Sequence, residues 1–159
     1  MRKNSVLILL ALFLFIYTCT ETSAQNSSPS SSVPAADAAA IKQTALDYIE
    51  GWYEGNAERM ERALHPELAK RIVETHPQTG RSRLNQMSAL SLVQGTRMGG
   101  GTKTPKDKQQ KDVTILDVYE GAASVKVVAG AWIDYLHMAR FNGRWVIVNV
   151  LWELKPEKK

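Results

Sequence analysis

Asp134, Asn149 and the tyrosines Tyr48 and Tyr53 are the side chains of this chain that could carry proton chemistry. Asp134 alternates with Trp132, Leu136 and Met138, and a carboxylate turned into such apolar surroundings resists ionisation and can serve as an acid or base. An amide such as Asn149 could orient a substrate oxygen, and a hydroxyl from Tyr48 or Tyr53 could donate to a substrate carbonyl as an oxyanion stabiliser does. The plainer reading is that Asp134 hydrogen-bonds backbone or Asn149 and specifies the core. His65, His76 and His137 match no metal-ligand spacing, and no His-Glu-x-x-His or paired Cys/His pattern is present, so neither a metal nor a cofactor is expected. His65 precedes Pro66 and reads as a helix-start residue near a pocket mouth, whereas His76 lies in a polar segment and should be exposed. The glycines around Gly95 to Thr104 suggest a phosphate loop, but Gly101 stands where lysine is needed, which rules out nucleotide binding there.

The elements that must position these residues are clearest at Asn142-Gly143, the dipeptide that suits a two-residue hairpin turn. With that turn, Phe141 faces Arg144, and counting back places His137 opposite Val148, Tyr135 opposite Val150 and Ile133 opposite Trp152. Tyr135, His137, Val148, Val150 and Trp152 then share one face. The other face carries Trp132, Asp134, Leu136 and Met138 beside Trp145, Ile147, Asn149 and Leu151. Because both faces are largely apolar, one should be covered by helices and the other by a second sheet or subunit, and a homodimer is expected.

Ahead of the hairpin, Asp37 is a plausible N-cap for a helix in which Ile41, Ala45, Tyr48 and Trp52 recur at helical spacing. At this spacing Trp52 is a core or pocket-wall residue before it is a stacking platform. Gly55 can end that helix and Asn56 cap the next, which carries Met60 and Leu64. Pro66 suits the first turn of a third helix with Leu68 and Ile72, and a short helix is expected over 84–93. Strands are expected over 112–119, 122–131, 132–141 and 144–154. Helices followed by an antiparallel meander describe an α+β domain whose curved sheet wraps the helices.

At the amino terminus, Arg2 and Lys3 precede an apolar run over 6–17, and Thr22-Ser23-Ala24 offers the small residues that a signal peptidase accepts. The run is shorter than the ~20 residues a spanning helix needs, so no stable membrane span is expected. The segment 1–24 therefore reads as a signal peptide for a secreted or periplasmic protein, and lipidation at Cys19 is disfavoured by Tyr17 and Thr18 before it. Residues 25–36 are rich in Ser, Pro and Ala and read as a flexible linker, leaving a domain over 37–159. Cys19 is the only cysteine, so the domain must rely on its core without disulfides. The formal charge of +4 is not gathered into a basic stripe, and no nucleic acid is expected as a partner. Lys103, Lys106, Lys108 and Lys111 form a charge run that reads as a solvated loop.

Tyr48, Gly51, Trp52 and Tyr53, then Leu64-His65-Pro66-Glu67, and finally Trp145-Val146-Ile147-Val148-Asn149 resemble the nuclear transport factor 2-like superfamily. The Asp134-Tyr135-Leu136-His137 and Asn142-Gly143-Arg144-Trp145 segments resemble most the group named putative lumazine-binding proteins, and the resemblance covers about 38–153. It implies a cone-shaped fold with a pocket between helices and curved sheet, and a dimer through that sheet. It also implies that Trp145 and Ile147 point toward the helices, which places Trp132, Asp134, Leu136, Met138 and Asn149 inside.

Two functions of different classes follow. The first is a non-catalytic binding domain for a small, partly apolar ligand, contacted by Trp52, Tyr53, His65, Trp132, Asp134, Met138 and Asn149. The second is a cyclase-, isomerase- or dehydratase-like enzyme with Asp134 as general base. A protein-interaction module using Tyr135, His137, Val148, Val150 and Trp152 on the outer sheet face is the third possibility.

Overall fold

The computed structural model describes residues 33–156; the expected signal peptide, Cys19 and most of the expected linker lie outside the described residues. Helix α1 (Ala35–Glu54) buries Ile41, Ala45, Tyr48 and Ile49 along one face, as their spacing requires, and stops at Gly55, whose φ of 68° closes the last turn. Its start differs from expectation. Pro34, not Asp37, occupies the N-cap position, so the helix begins inside the expected linker. Asp37 lies in the first turn, where a negative charge suits the helix dipole, and its carboxylate accepts from Arg140 and from Trp145 Nε1. Helix α2 (Ala57–Ala63) is capped by Asn56, which accepts from the Arg59 amide at 3.1 Å. Arg59 clamps the two helices together, reaching Asp47, Glu50 and Glu54 of α1.

The third helix expected at Pro66 is a strand, β1 (Leu64–Thr75). Leu68, Lys70 and Ile72 are buried while Val73 and Thr75 are exposed, a period of two rather than 3.6. Pro66 is tolerated because the pairing of β1 breaks between Leu64 and Ala69, so its missing N–H interrupts no ladder. The helix expected over 84–93 is likewise divided. Residues Ser82–Ser88 form β2, and α3 (Ala89–Arg97) begins only where Ser88 Oγ accepts from the Ser91 amide.

The remaining strands, β3 (Lys111–Tyr119), β4 (Ala122–Ala129), β5 (Trp132–Phe141) and β6 (Arg144–Leu154), form the expected antiparallel meander. The six-stranded sheet runs β2-β1-β6-β5-β4-β3, is curved and unclosed, and is mixed because β1 pairs with β6 in parallel. The expectation of a wholly antiparallel sheet is corrected by that one pairing. The helices pack on one sheet face, with α1 against β3, β4 and β6, and α3 against β1 and β2. Between helices and sheet lies an α+β core that includes Ile41, Ile49, Val125, Val127, Leu136, Met138, Ile147 and Val150.

The β5–β6 hairpin turns at Asn142 and Gly143, with φ of 50° and 77°, and pairs as expected from Phe141↔Arg144 to Met138↔Ile147. A bulge follows. Val148 has no partner of its own, and His137 pairs with Asn149 instead. One extra residue moves every later side chain of β6 to the opposite face. Asn149 and Leu151 therefore lie on the outer face, against expectation, while Val150 and Trp152 turn inward and leave the expected partner face. Tyr135 and His137 stay on the outer face with Asn149.

Candidate functional site

Seven elements converge on a cavity of about 270 Å³ between helices and sheet. From α1 come Tyr48, Ile49 and Trp52, whose positions i, i+1 and i+4 share one helix side; Met60, Met87 and Leu92 complete the apolar wall. Trp132 on β5 and Trp152 on β6 face the same space, and Lys70 enters from β1. Among the described residues, Lys70 is the only charged side chain lining this cavity. Its side chain is 6% exposed.

Lys70 Nζ donates to Asp134 Oδ1 at 2.5 Å and to the Tyr48 hydroxyl at 2.6 Å. Tyr48 in turn donates to Asp134 Oδ2 at 3.3 Å, and Trp132 Nε1 donates to the same oxygen at 2.7 Å. Asp134 is wholly buried, and both its oxygens are occupied. The Lys70 ammonium lies 4.8 Å from the Trp152 ring centroid and 5.3 Å from that of Tyr48, a cation–π setting. Burial pushes the Lys70 ammonium below its ordinary value, against the pull of the Asp134 charge and hydrogen bond. Tyr48 is driven well above the usual phenol range by burial and then by the Asp134 charge, so it remains a donor. The cluster presents Lys70 to the cavity and holds Asp134 behind it. Proton chemistry at a bound molecule would therefore pass through Lys70, with Asp134 as its positioning residue.

The residues picked out from the sequence divide accordingly. Trp52 and Trp132 line the cavity, and Asp134 supports its floor. Met138 is buried in the core without lining the cavity. Tyr53 is buried too, but its hydroxyl donates to the Gln110 carbonyl at 3.0 Å and accepts from the Gly130 amide at 3.1 Å, tying α1 to the sheet. His65 is half-buried, edge-on to Phe141 with centroids 4.6 Å apart, and is not brought to the cavity. Asn149 lies outside, accepting from Arg71 and bonded to His137, so the expected Asp134–Asn149 pairing does not exist. Val148 is the half-buried bulge residue, and Trp152, expected on the partner face, is a cavity wall.

Lys70 is the residue that sequence reasoning missed. Its signal was present: read as a strand, Leu68-Ala69-Lys70-Arg71-Ile72 puts a lysine between two inward apolar residues. The glycine-rich loop has a similar explanation. A Cβ at Gly100 would stand 2.3 Å from Trp52 Cη2, and one at Gly101 2.5 Å from the Trp52 carbonyl oxygen, so the loop is glycine because Trp52 lies against it.

Residues 36–153 match the sequence pattern of the family described as "Putative lumazine-binding". The chain belongs to this family. Its fold is that of the nuclear transport factor 2-like superfamily. A nuclear transport factor 2-like protein of unknown function from Shewanella baltica shares 14% identity with a TM-score of 0.58, over 79% of this chain and 99% of that one. One from Methylobacillus flagellatus shares 18% at a TM-score of 0.57, over 78% and 96% of the two chains. A nuclear transport factor 2-like protein with a cystatin-like fold from Novosphingobium aromaticivorans shares 12% at 0.55, over 77% and 84%. These likenesses of the putative lumazine-binding chain establish the fold and nothing of the chemistry. No curated protein matches it.

Proposed function

We propose that the domain binds a small, flat, largely apolar molecule in the cavity beside Lys70 and does no chemistry on it. The supporting observation is the wall itself: Trp52, Trp132, Trp152 and Tyr48 surround about 270 Å³ with one charged group at the floor. Aromatic faces with a single convergent polar group are the usual make-up of a ligand site. Asp134, the candidate general base, has no free oxygen, which favours binding over catalysis. Calorimetric titration of the purified chain with 2-isopropylnaphthalene should give saturable binding at one site per chain. Met87→Trp, which fills the cavity, should abolish binding while the melting temperature holds. Absence of saturable binding, or binding indifferent to Met87→Trp, would sink the reading.

The outer sheet face supports self-association. Tyr135 pairs with Leu151, and these two, with Val73 and Leu84, are between 43% and 60% exposed. The chain is read as a secreted or periplasmic homodimer on the strength of this face and of the signal-like segment 1–24.

A further inference from the structure

Resting on the binding reading above, we infer that Trp132 fixes the length of the molecule the cavity accepts, standing as a partition between that cavity and a second, outer pocket. The outer pocket, of about 520 Å³, lies where α1 meets the β4–β5 turn and the segment 104–110; Tyr53, Lys108, Gln110 and Gly130 are among its walls. Among the described residues, Trp132 is the one that lines both spaces. Ligand pockets usually enclose about 300–1,000 Å³. The inner cavity alone falls below that range, whereas the two spaces joined fall within it.

The partition is anchored on two sides. Trp132 Nε1 donates to the buried Asp134 Oδ2 at 2.7 Å, and its ring lies tilted against Tyr53 with centroids 6.3 Å apart. Tyr53 is itself pinned, donating to the Gln110 carbonyl at 3.0 Å and accepting from the Gly130 amide at 3.1 Å. A side chain held in this way excludes a longer molecule by contact. The two spaces also differ in kind. The inner walls are apolar apart from Lys70, whereas Asp107, Lys108, Gln109 and Gln110 give the outer pocket a polar lining. A molecule long enough to span both would be an amphiphile with its apolar end inside and its polar end outside. Trp132 rejects that class and leaves the inner cavity to short apolar molecules.

A series of straight-chain alkan-1-ols from butanol to dodecanol, titrated into the full chain and followed by tryptophan fluorescence, tests this. Each added methylene should raise affinity about fourfold while it enters the cavity. Once the cavity is full the series should flatten, with decanol and dodecanol within about twofold of each other. In Trp132→Ala the two spaces join, and dodecanol should bind about tenfold more tightly than decanol; Trp52 and Trp152 still report from the walls. Thr104→Trp fills the outer pocket while the backbone bonds of Thr104 to Gly101 and to the Gln109 side chain persist. Added to Trp132→Ala, it should restore the flattening, which a mere enlargement of the inner cavity would not allow. Thermal melts check that the variants fold. A rise that continues through dodecanol in the unmutated chain overturns the partition without recourse to any variant, as does a Trp132→Ala series that flattens where the unmutated one does. Either result leaves the cavity a binding site if 2-isopropylnaphthalene still binds. If neither that hydrocarbon nor any alkanol binds, the binding reading fails and takes this inference with it.

Discussion

Replacing Lys70 by methionine tests whether the Lys70–Asp134 contact is a buried unit. The perturbation keeps the length and apolar stem of the side chain and removes its charge, leaving a carboxylate that is 0% exposed without its cation. Breaking a buried pair from one side costs about 3–5 kcal/mol. Asp134 would retain the Tyr48 and Trp132 donors, so the lower end, about 3 kcal/mol, is the expected loss. For a domain of this size that lowers the melting temperature by roughly 10–15 °C. Asp134→Asn alone strands the ammonium and should be similarly harmful. The double variant removes both charges, and the amide oxygen that Asp134→Asn introduces can still accept from Trp132, so it should be less destabilised than the two singles combined by about 2–3 kcal/mol. Urea unfolding followed by tryptophan fluorescence supplies all four corners of the cycle, since Trp132 and Trp152 flank the pair. Additivity within about 0.5 kcal/mol would refute the reasoning, because it would mean that the two groups do not depend on each other.

The glycine loop and the α1–α2 junction offer two further checks. Gly100→Ala places a Cβ 2.3 Å from Trp52 Cη2 and should destabilise the domain by about 1–3 kcal/mol, with relief when Trp52→Phe is added; an unchanged thermal melt would contradict the packing. At the junction, burial pushes the Asp47 carboxyl up, but hydrogen bonds from Arg62, Arg59 and Gln43 outweigh it and hold the group below 3.8. The Lys111 hydrogen bond, opposed by burial and joined by Arg59, holds Glu50 below 4.5. A carboxyl with a lowered folded value stabilises fully above its unfolded value, and that contribution is lost as pH falls through the folded one. Stability should therefore fall on acidification below the ordinary carboxylate range, and Asp47→Asn with Glu50→Gln should flatten that fall. Denaturation midpoints measured across this range would expose an unaltered slope if the assignment is wrong.

Local pattern carried much of the architecture. Helix α1, the Asn142-Gly143 turn and the four-strand meander are legible because each depends on spacings within one or two elements, whereas the inward face of Asp134 followed only from the family resemblance, both hairpin faces being largely apolar. The aromatic wall at Trp52 was legible for the same reason as α1. The segment 64–75 was misread because Pro66 is at home in both a first helical turn and a strand irregularity, and only the parallel partner β6 decides between them. The Val148 bulge left no mark on the alternation of β6, yet it moved Asn149 out and Trp152 in, which exchanged an expected pocket amide for an unpaired indole donor. Thus the chain's own sequence determined helix α1, the hairpin turn and the strands of the meander, together with the alternation that puts Asp134 and Trp132 on one face. Tertiary structure alone decided what meets Asp134, because its partner Lys70 stands 64 residues away and is brought to it by the β1–β6 pairing, and no spacing rule within a strand or helix reaches that far.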